Sequence, residues 1–248
     1  MASVKKRRVF WIYYPKKRRM IIPLLAIFVI VGLLSYDNTT TTWTQWTLPL
    51  SGQVIVIDPG HGGPDGGAVS KNGLLEKDIN LDISLYLRDY LQQAGAIVYM
   101  TREGDYDLAE EGKQIRRKRQ DILRRAEIIQ EKQAQLFISI HMNSIPSSRW
   151  SGAQTFYHSS GDPDSKKLAF FIQDEIKSSL NNTDREILPA DSIYLLKTLE
   201  IPGALVEAGF LSNATESSLL GEAAYQQKIA LAIYQGVLRY SSGEEFTD

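Results

Sequence analysis

Apolar and polar positions divide the chain into two unlike parts. From residue 54 onward, short continuous apolar runs alternate with longer stretches of helical period. The run VIVI (54–57) is apolar at every position, as a strand buried on both faces of a parallel sheet requires. Ile79, Ile83, Tyr86, Leu87, Tyr90 and Leu91 then recur at intervals of one face of a helix, which predicts an amphipathic helix stopping near Gly95. AIVYM (96–100) returns as a strand. A charged stretch over 105–119 leads into a helix that ends about Lys132, LFISIH (136–141) reads as a strand, and a further strand is predicted around 153–157. Leu168, Phe171, Ile172, Ile176 and Leu180 mark another helix, and the segment GALVEAGF (203–210) holds a short apolar strand. Asn213 and Glu216 have the spacing of a capping box, and Ala230, Ile233, Tyr234, Val237 and Leu238 line the last helix. This alternation predicts a single α/β domain whose twisted, mostly parallel sheet carries helices on both faces. No internal repeat is visible.

The first part reads differently. Residues 1–19 hold eight lysines and arginines and no acid, and MIIPLLAIFVIVGLL (20–34) follows as one apolar run. As a helix this run rises roughly 22 Å, so flanking residues must help it span a hydrocarbon core of roughly 30 Å. Positive charge on one side matches the positive-inside rule, and no small-x-small cleavage site follows. The pattern predicts a basic cytoplasmic tail over 1–19, an uncleaved membrane anchor over 20–36 and a threonine-rich linker over 37–50. Trp43 and Trp46 in that linker read as packing on the domain's edge or resting at the membrane interface. The domain then covers 51–241, outside the cytoplasm, with a short tail over 242–248. The lack of cysteine agrees with export of a domain whose core is large enough without disulfides. With the eight basic residues of the tail set aside, 20 basic residues face 29 acidic ones, a net charge near −9 that argues against a nucleic-acid surface. RRKR (116–119) is balanced by Glu103, Asp105, Asp107, Glu110 and Glu111 and reads as a solvated face.

Candidate chemistry gathers where apolar runs end, since open α/β sheets bind ligands outside the carboxyl ends of their strands. VIVID leads into a turn with five glycines and His61, LFISIH ends at His141, and ALVE ends at Glu207. The glycine-rich turn does not suit a nucleotide: from Gly60 the G-x-G-x-x-G pattern would need glycine at Asp65, and no G-K-[ST] follows. Glu207 lies among Ala204, Leu205, Val206, Ala208, Gly209 and Phe210, where a carboxylate must be paired, hydrogen-bonded, protonated or next to a metal. A salt bridge to Arg102 is the structural alternative. Two histidines at one sheet edge can instead share Zn²⁺ with a carboxylate and leave the fourth position open. Spacing does not separate Asp58, Asp65, Glu76 and Asp78 as that carboxylate. Asp58 can also orient a histidine from behind, and Glu76 suits a helix N-terminus with or without metal.

DPGHGGPDGGA, LLEKD, MTR, SIHMNS and ALVEAGFLSN, in this order over 54–240, resemble the zinc-dependent N-acetylmuramoyl-L-alanine amidases of bacterial cell walls. The resemblance implies Zn²⁺ held by His61, Glu76 and His141, with Glu207 as the catalytic proton-transfer group. It implies attack of metal-activated water on the amide between the lactyl group of muramic acid and L-alanine. Asn143 is expected near the substrate or the ligands, and His158 is expected to be structural or exposed. The N-terminal anchor, WTQWTLPLSG, RWSGAQTFYH and the lack of wall-binding repeats are similar to spore-cortex amidases. That likeness implies cortex peptidoglycan as substrate and removal of selected stem peptides ahead of muramic-δ-lactam formation. It also implies a protein activator, a downstream deacetylase and a place in the forespore intermembrane space. A zinc peptidase cutting within the stem peptide, and a membrane-tethered wall-binding protein with structural zinc, are the competing readings.

Overall fold

The computed structural model describes residues 23–32, 48–110 and 116–246. The chain divides into two compact units, Met1–Thr47 and Leu48–Asp248. In the first, residues 23–32 are helical. Among the described residues no helix is long and apolar enough to cross a membrane. The ends of the anchor predicted over 20–36, and Trp43 and Trp46, lie outside the described residues.

The second unit is an α/β domain built on six strands. They are β1 (Val54–Pro59), β2 (Ile97–Met100), β3 (Leu136–Asn143), β4 (Gln154–Tyr157), β5 (Leu188–Pro189) and β6 (Gly203–Phe210), in the sheet order β2-β1-β3-β6-β4-β5. All neighbours run parallel except β4 against β6. The helices are α1 (Glu76–Gln93), α2 (Arg117–Glu131), α3 (Asp164–Leu180), α4 (Tyr194–Thr198), α5 (Ala214–Leu220) and α6 (Ala223–Ser241).

Alternate strand residues feed two cores, because successive side chains point to opposite faces. Ile55, Ile57, Ile138, Ile140 and Val206 meet Ile83 and Leu87 of α1, Ile172 of α3 and Ile233 of α6. Val56, Phe137 and Leu205 face the other way, onto Ile129 of α2 and Leu195 of α4. Helices therefore cover both faces, as the alternation predicted. The chain leaves β1 toward β2 on one side, and β3 pairs with β1 on the other. Beyond the carboxyl ends of β1 and β3 lies the switch point where such sheets bind ligands.

Three local features depart from the sequence expectation. The apolar strand around ALV extends to Phe210, so Glu207 sits inside β6 rather than at its end. β5 and α4 were not anticipated, since two and five residues are too short to show a period. Asn213 caps α5 as expected, its Oδ1 accepting from the amides of Thr215 (3.0 Å) and Glu216 (3.1 Å). Glu216 does not complete the reciprocal box. It accepts instead from the amides of Gly152 (3.0 Å) and Phe210 (2.9 Å), tying the approach to β4 onto the end of β6.

Candidate active site

Strand parity decides which side chains meet. Because Ile138, Ile140 and Val206 enter one core, Ser139, His141, Leu205 and Glu207 point toward the α2 face. Asp58 shares that face with Val56. His141 and Glu207 are direct Cα partners across β3 and β6, placing imidazole and carboxylate on neighbouring strands. After β1 the chain turns through Gly60 to His61, and α1 opens with Glu76 beneath the same turn. A cleft of about 400 Å³ opens over these groups, walled by Lys118 and Ile122 of α2, Tyr194 of α4 and Leu205.

The glycines of the turn make this convergence possible. A Cβ on Gly60 would collide with the His141 ring. Gly67 has φ +68°, and a Cβ there would press on the Glu76 carboxylate and on His61 Cδ2 at 2.8 Å. Backbone without side chains is what lets two imidazoles and a carboxylate come together.

One ligand atom from each of His61, Glu76 and His141 lies within 4.8 Å of the others. Glu76 Oε1 is 3.1 Å from His61 Nε2 and 3.1 Å from His141 Nδ1. The amides of Ala68 (2.8 Å) and Met142 (3.0 Å) fix the two Glu76 oxygens, and Asn80 Nδ2 approaches Oε1 at 3.4 Å. Burial alone would raise the Glu76 carboxyl, but hydrogen bonds from His141 and His61 outweigh it and hold the group far below the usual carboxylate range. Burial likewise opposes protonation of His61, and the Glu76 and Asp65 carboxylates overcome it and raise its pKa. Asp65 Oδ2 stands 3.0 Å from His61 Nδ1, outside aligned hydrogen-bond geometry, so it acts there as a nearby charge. Two imidazoles and one ionised, oriented carboxylate are a donor set suited to zinc.

Glu207 differs from its neighbours. Burial pushes its carboxyl up to about 7; the charge of His141 lowers it, that of Glu76 raises it and that of His61 lowers it. Its Oε2 is buried with no hydrogen-bond partner. The alternative partner, Arg102, donates instead to the carbonyls of Pro59, Gly60, Lys77 and Gly104, so the structure rejects that salt bridge. A buried carboxyl with one oxygen unmet and a raised pKa is equipped to exchange a proton with a reactant in the cleft.

The other sequence candidates separate. Asp78 is exposed on α1. Asp58, 1% exposed, lies behind the turn and accepts from Arg125 Nη1 (2.7 Å), Thr101 Oγ1 (2.6 Å) and Ser139 Oγ (2.7 Å). Asn143 lies beyond the bulge that interrupts the β3–β6 register. His158, half-buried after β4 and outside the cleft, has Nε2 3.8 Å from Asp191 Oδ1. Sequence periodicity missed Arg102 and Arg125, which pack against the turn; only the position of Arg102 directly after a strand hinted at a role.

Asp58 carries a pH prediction. Burial would raise its carboxyl, but the Arg125 charge and the hydrogen bonds from Thr101 and Ser139 prevail and lower it below the ordinary value. Its stabilising effect is therefore fully present above an unfolded carboxyl pKa of about 3.9 and disappears as pH falls through the folded value. The melting temperature of Asp58→Asn should lie below the parent's at pH 7, and the gap should narrow as the solution is acidified below about pH 4. A gap independent of pH between 7 and 3 would show that folding leaves the Asp58 pKa unshifted.

Residues 55–239 match the family model of the N-acetylmuramoyl-L-alanine amidases. The chain belongs to this family. A germination-specific N-acetylmuramoyl-L-alanine amidase of Bacillus subtilis is 48% identical over 228 residues, covering 91% of this chain and 95% of the relative. Among solved structures, the CwlD amidase of Clostridioides difficile in complex with the GerS lipoprotein aligns with a TM-score of 0.75 at 43% identity, over 77% of this chain and all of that one. The catalytic domain of CwlV, an amidase of Bacillus (Paenibacillus) polymyxa, aligns with a TM-score of 0.67 at 31% identity, over 76% of this chain and 97% of that one. The amidase described here is thus a cell-wall hydrolase, and the wall-binding reading without catalysis falls away.

Proposed function

We propose that this amidase is a zinc enzyme that hydrolyses the amide between N-acetylmuramic acid and L-alanine, with His61, Glu76 and His141 holding the metal and Glu207 transferring the proton. The observation that carries the reading is the meeting of two imidazoles and an ionised carboxylate beside a second carboxylate on the next strand, whose Oε2 has no hydrogen-bond partner among the described residues. Zinc, when bound, supplies a Lewis acid for the amide carbonyl and a means of ionising water near neutral pH. The side chains do the rest. Glu76, fixed by two backbone amides, brings a charge that is already negative, so little reorganisation accompanies binding of a cation. Glu207 takes a proton from the attacking water as the carbon–oxygen bond forms. It returns that proton to the alanine nitrogen as the carbon–nitrogen bond breaks, giving a lactyl carboxylic acid and a free amine, and transfer of the acid's proton to the amine leaves a carboxylate and an ammonium. A cation beside Glu207 would draw its pKa down from about 7, which favours the basic form at the start of the cycle.

Mass spectrometry of digested peptidoglycan tests the bond assignment. Free stem peptides beginning at L-alanine are expected, with muramic acid keeping its lactyl group. New termini inside the peptide would replace the amidase reaction with that of a zinc peptidase.

The germination-specific relative and the CwlD structure support a role in the spore cortex. There the enzyme would bare selected muramic acids for a deacetylase and lactam formation. A lipoprotein activator is part of this reading, since CwlD was solved with GerS. The chain acts outside the cytoplasm, and the apolar run over 20–34 behind eight basic residues supports tethering with the tail over 1–19 inside. The protein should pellet with membranes and resist alkaline extraction; a mature chain beginning near Thr39 would show a cleaved signal instead.

A further inference from the structure

Two buried guanidinium groups stand behind the metal-binding turn, and the reaction as derived leaves them without a part. Arg102, 1% exposed, follows β2, and Arg125, 3% exposed, sits in the middle of α2. Together they hold the carbonyls of three consecutive residues. Arg102 donates from Nε to Pro59 O (3.0 Å) and from Nη2 to Gly60 O (2.9 Å), while also reaching Lys77 O (2.8 Å) and Gly104 O (3.0 Å). Arg125 donates from Nη1 to Pro59 O (2.7 Å) and from Nη2 to His61 O (2.6 Å). Asn80 Nδ2 adds a bond to Gly60 O (3.2 Å).

The residue so gripped is strained. His61 has φ +63°, in the left-handed region where a Cβ crowds the following carbonyl. Such a conformation persists only where the surroundings over-determine it. Here the over-determination is visible, because the carbonyls before and at His61 are pinned from two directions. Arg102 is an uncommon choice for packing alone: its hydrogen bonds go to carbonyls, and burial together with the Arg125 charge lowers its pKa to about 10. A planar guanidinium spans the acceptors of successive residues, which the single ammonium of lysine does not.

We propose that Arg102 and Arg125 are positioning residues: a two-sided clamp on the backbone of residues 59–61 that aims the His61 ring at Glu76 and His141 and thereby sets the zinc affinity of the chain. This rests on the zinc site proposed above. Arg102 stands outside the cleft and Arg125 borders it, and both act through the backbone of the turn that carries His61.

Arg102→Lys and Arg125→Lys, which keep the charge, test the clamp by zinc affinity in chelator competition and by melting of the same metal-free samples. Gln173→Ala is the control. Gln173 is a comparably buried side chain on α3 that bonds the Thr155 amide and the carbonyls of Ala153 and Arg185, away from the turn. Both lysine variants should fold and bind zinc about 10–100-fold more weakly, the usual effect of removing a group that orients a ligand. Gln173→Ala should melt earlier and keep the parent's affinity. Unchanged affinity in a folded lysine variant overturns the clamp, and so does an equal loss in Gln173→Ala, which would tie affinity to global stability. If Arg125→Lys does not fold because Asp58 loses its partner, Arg102→Lys decides by the same criterion; failure of both to fold would make them determinants of the fold and overturn the assignment. A parent chain that binds no zinc would instead overturn the metal site itself.

Discussion

Glu207→Gln is expected to lower turnover by about 10²–10⁴-fold, the range that general acid–base groups contribute. Glutamine keeps the shape and volume of the side chain, and Oε2 has no hydrogen-bond partner in the fold, so the change breaks no structural bond there. What it removes is the capacity to take and return a proton. Because His141 is the direct cross-strand neighbour, any gross displacement of β6 would also disturb the metal site, and the variant should show none. Rates on a defined muropeptide measure the effect, with KM expected close to the parent's. A loss smaller than tenfold would remove Glu207 from proton transfer.

His141→Ala is expected to abolish both metal content and hydrolysis. Among the described residues three protein donors meet at the site, so losing one leaves His61 and Glu76, too few for a stable zinc centre. The fold should survive, because the imidazole borders the cleft with 23% of its side chain exposed and does not fill either core. Circular dichroism near that of the parent, with zinc below a tenth of an equivalent and no released peptide, is the expected result. Stoichiometric zinc in this variant would show that the ligand set is different.

Much of the fold was legible because its signals are local. The runs VIVI and LFISI (54–57, 136–140) and the helical spacing from Ile79 to Leu91 each reflect burial of the element that carries them, so strands and helices stand out without knowledge of their partners. β5 and α4 carry too few residues to show a period. The extension of β6 past Glu207 was hidden because a lone acid within an apolar run reads as its end, whereas parity turns that side chain into the cleft. For the site, strand ends pointed to His61 and His141, but spacing left four acids open as the third ligand. Glu76 meets the histidines only because the turn of residues 60–68 folds back over α1, as the bond from the Glu76 amide to Ala68 O (2.9 Å) records. Asp58, near the end of β1 and equally plausible in sequence, is drawn instead to Arg125, sixty-seven positions away. The resemblance of whole motifs supplied what spacing lacked. The clamp of Arg102 and Arg125 left no periodic signal, since an arginine bonded to carbonyls leaves no pattern in its neighbours, and only the place of Arg102 just past β2 hinted at it.

In the proposed reaction one group of residues holds the metal and a different residue moves the proton. Zinc content and hydrolysis measured in the same preparation of Glu207→Gln test it most directly, by elemental analysis of the dialysed protein beside its rate on peptidoglycan. About one zinc per chain is expected, as in the parent, with turnover reduced at least a hundredfold. Zinc lost together with activity would make Glu207 a ligand, and zinc kept with full activity would leave the proton transfer to another group; either result contradicts the division of roles.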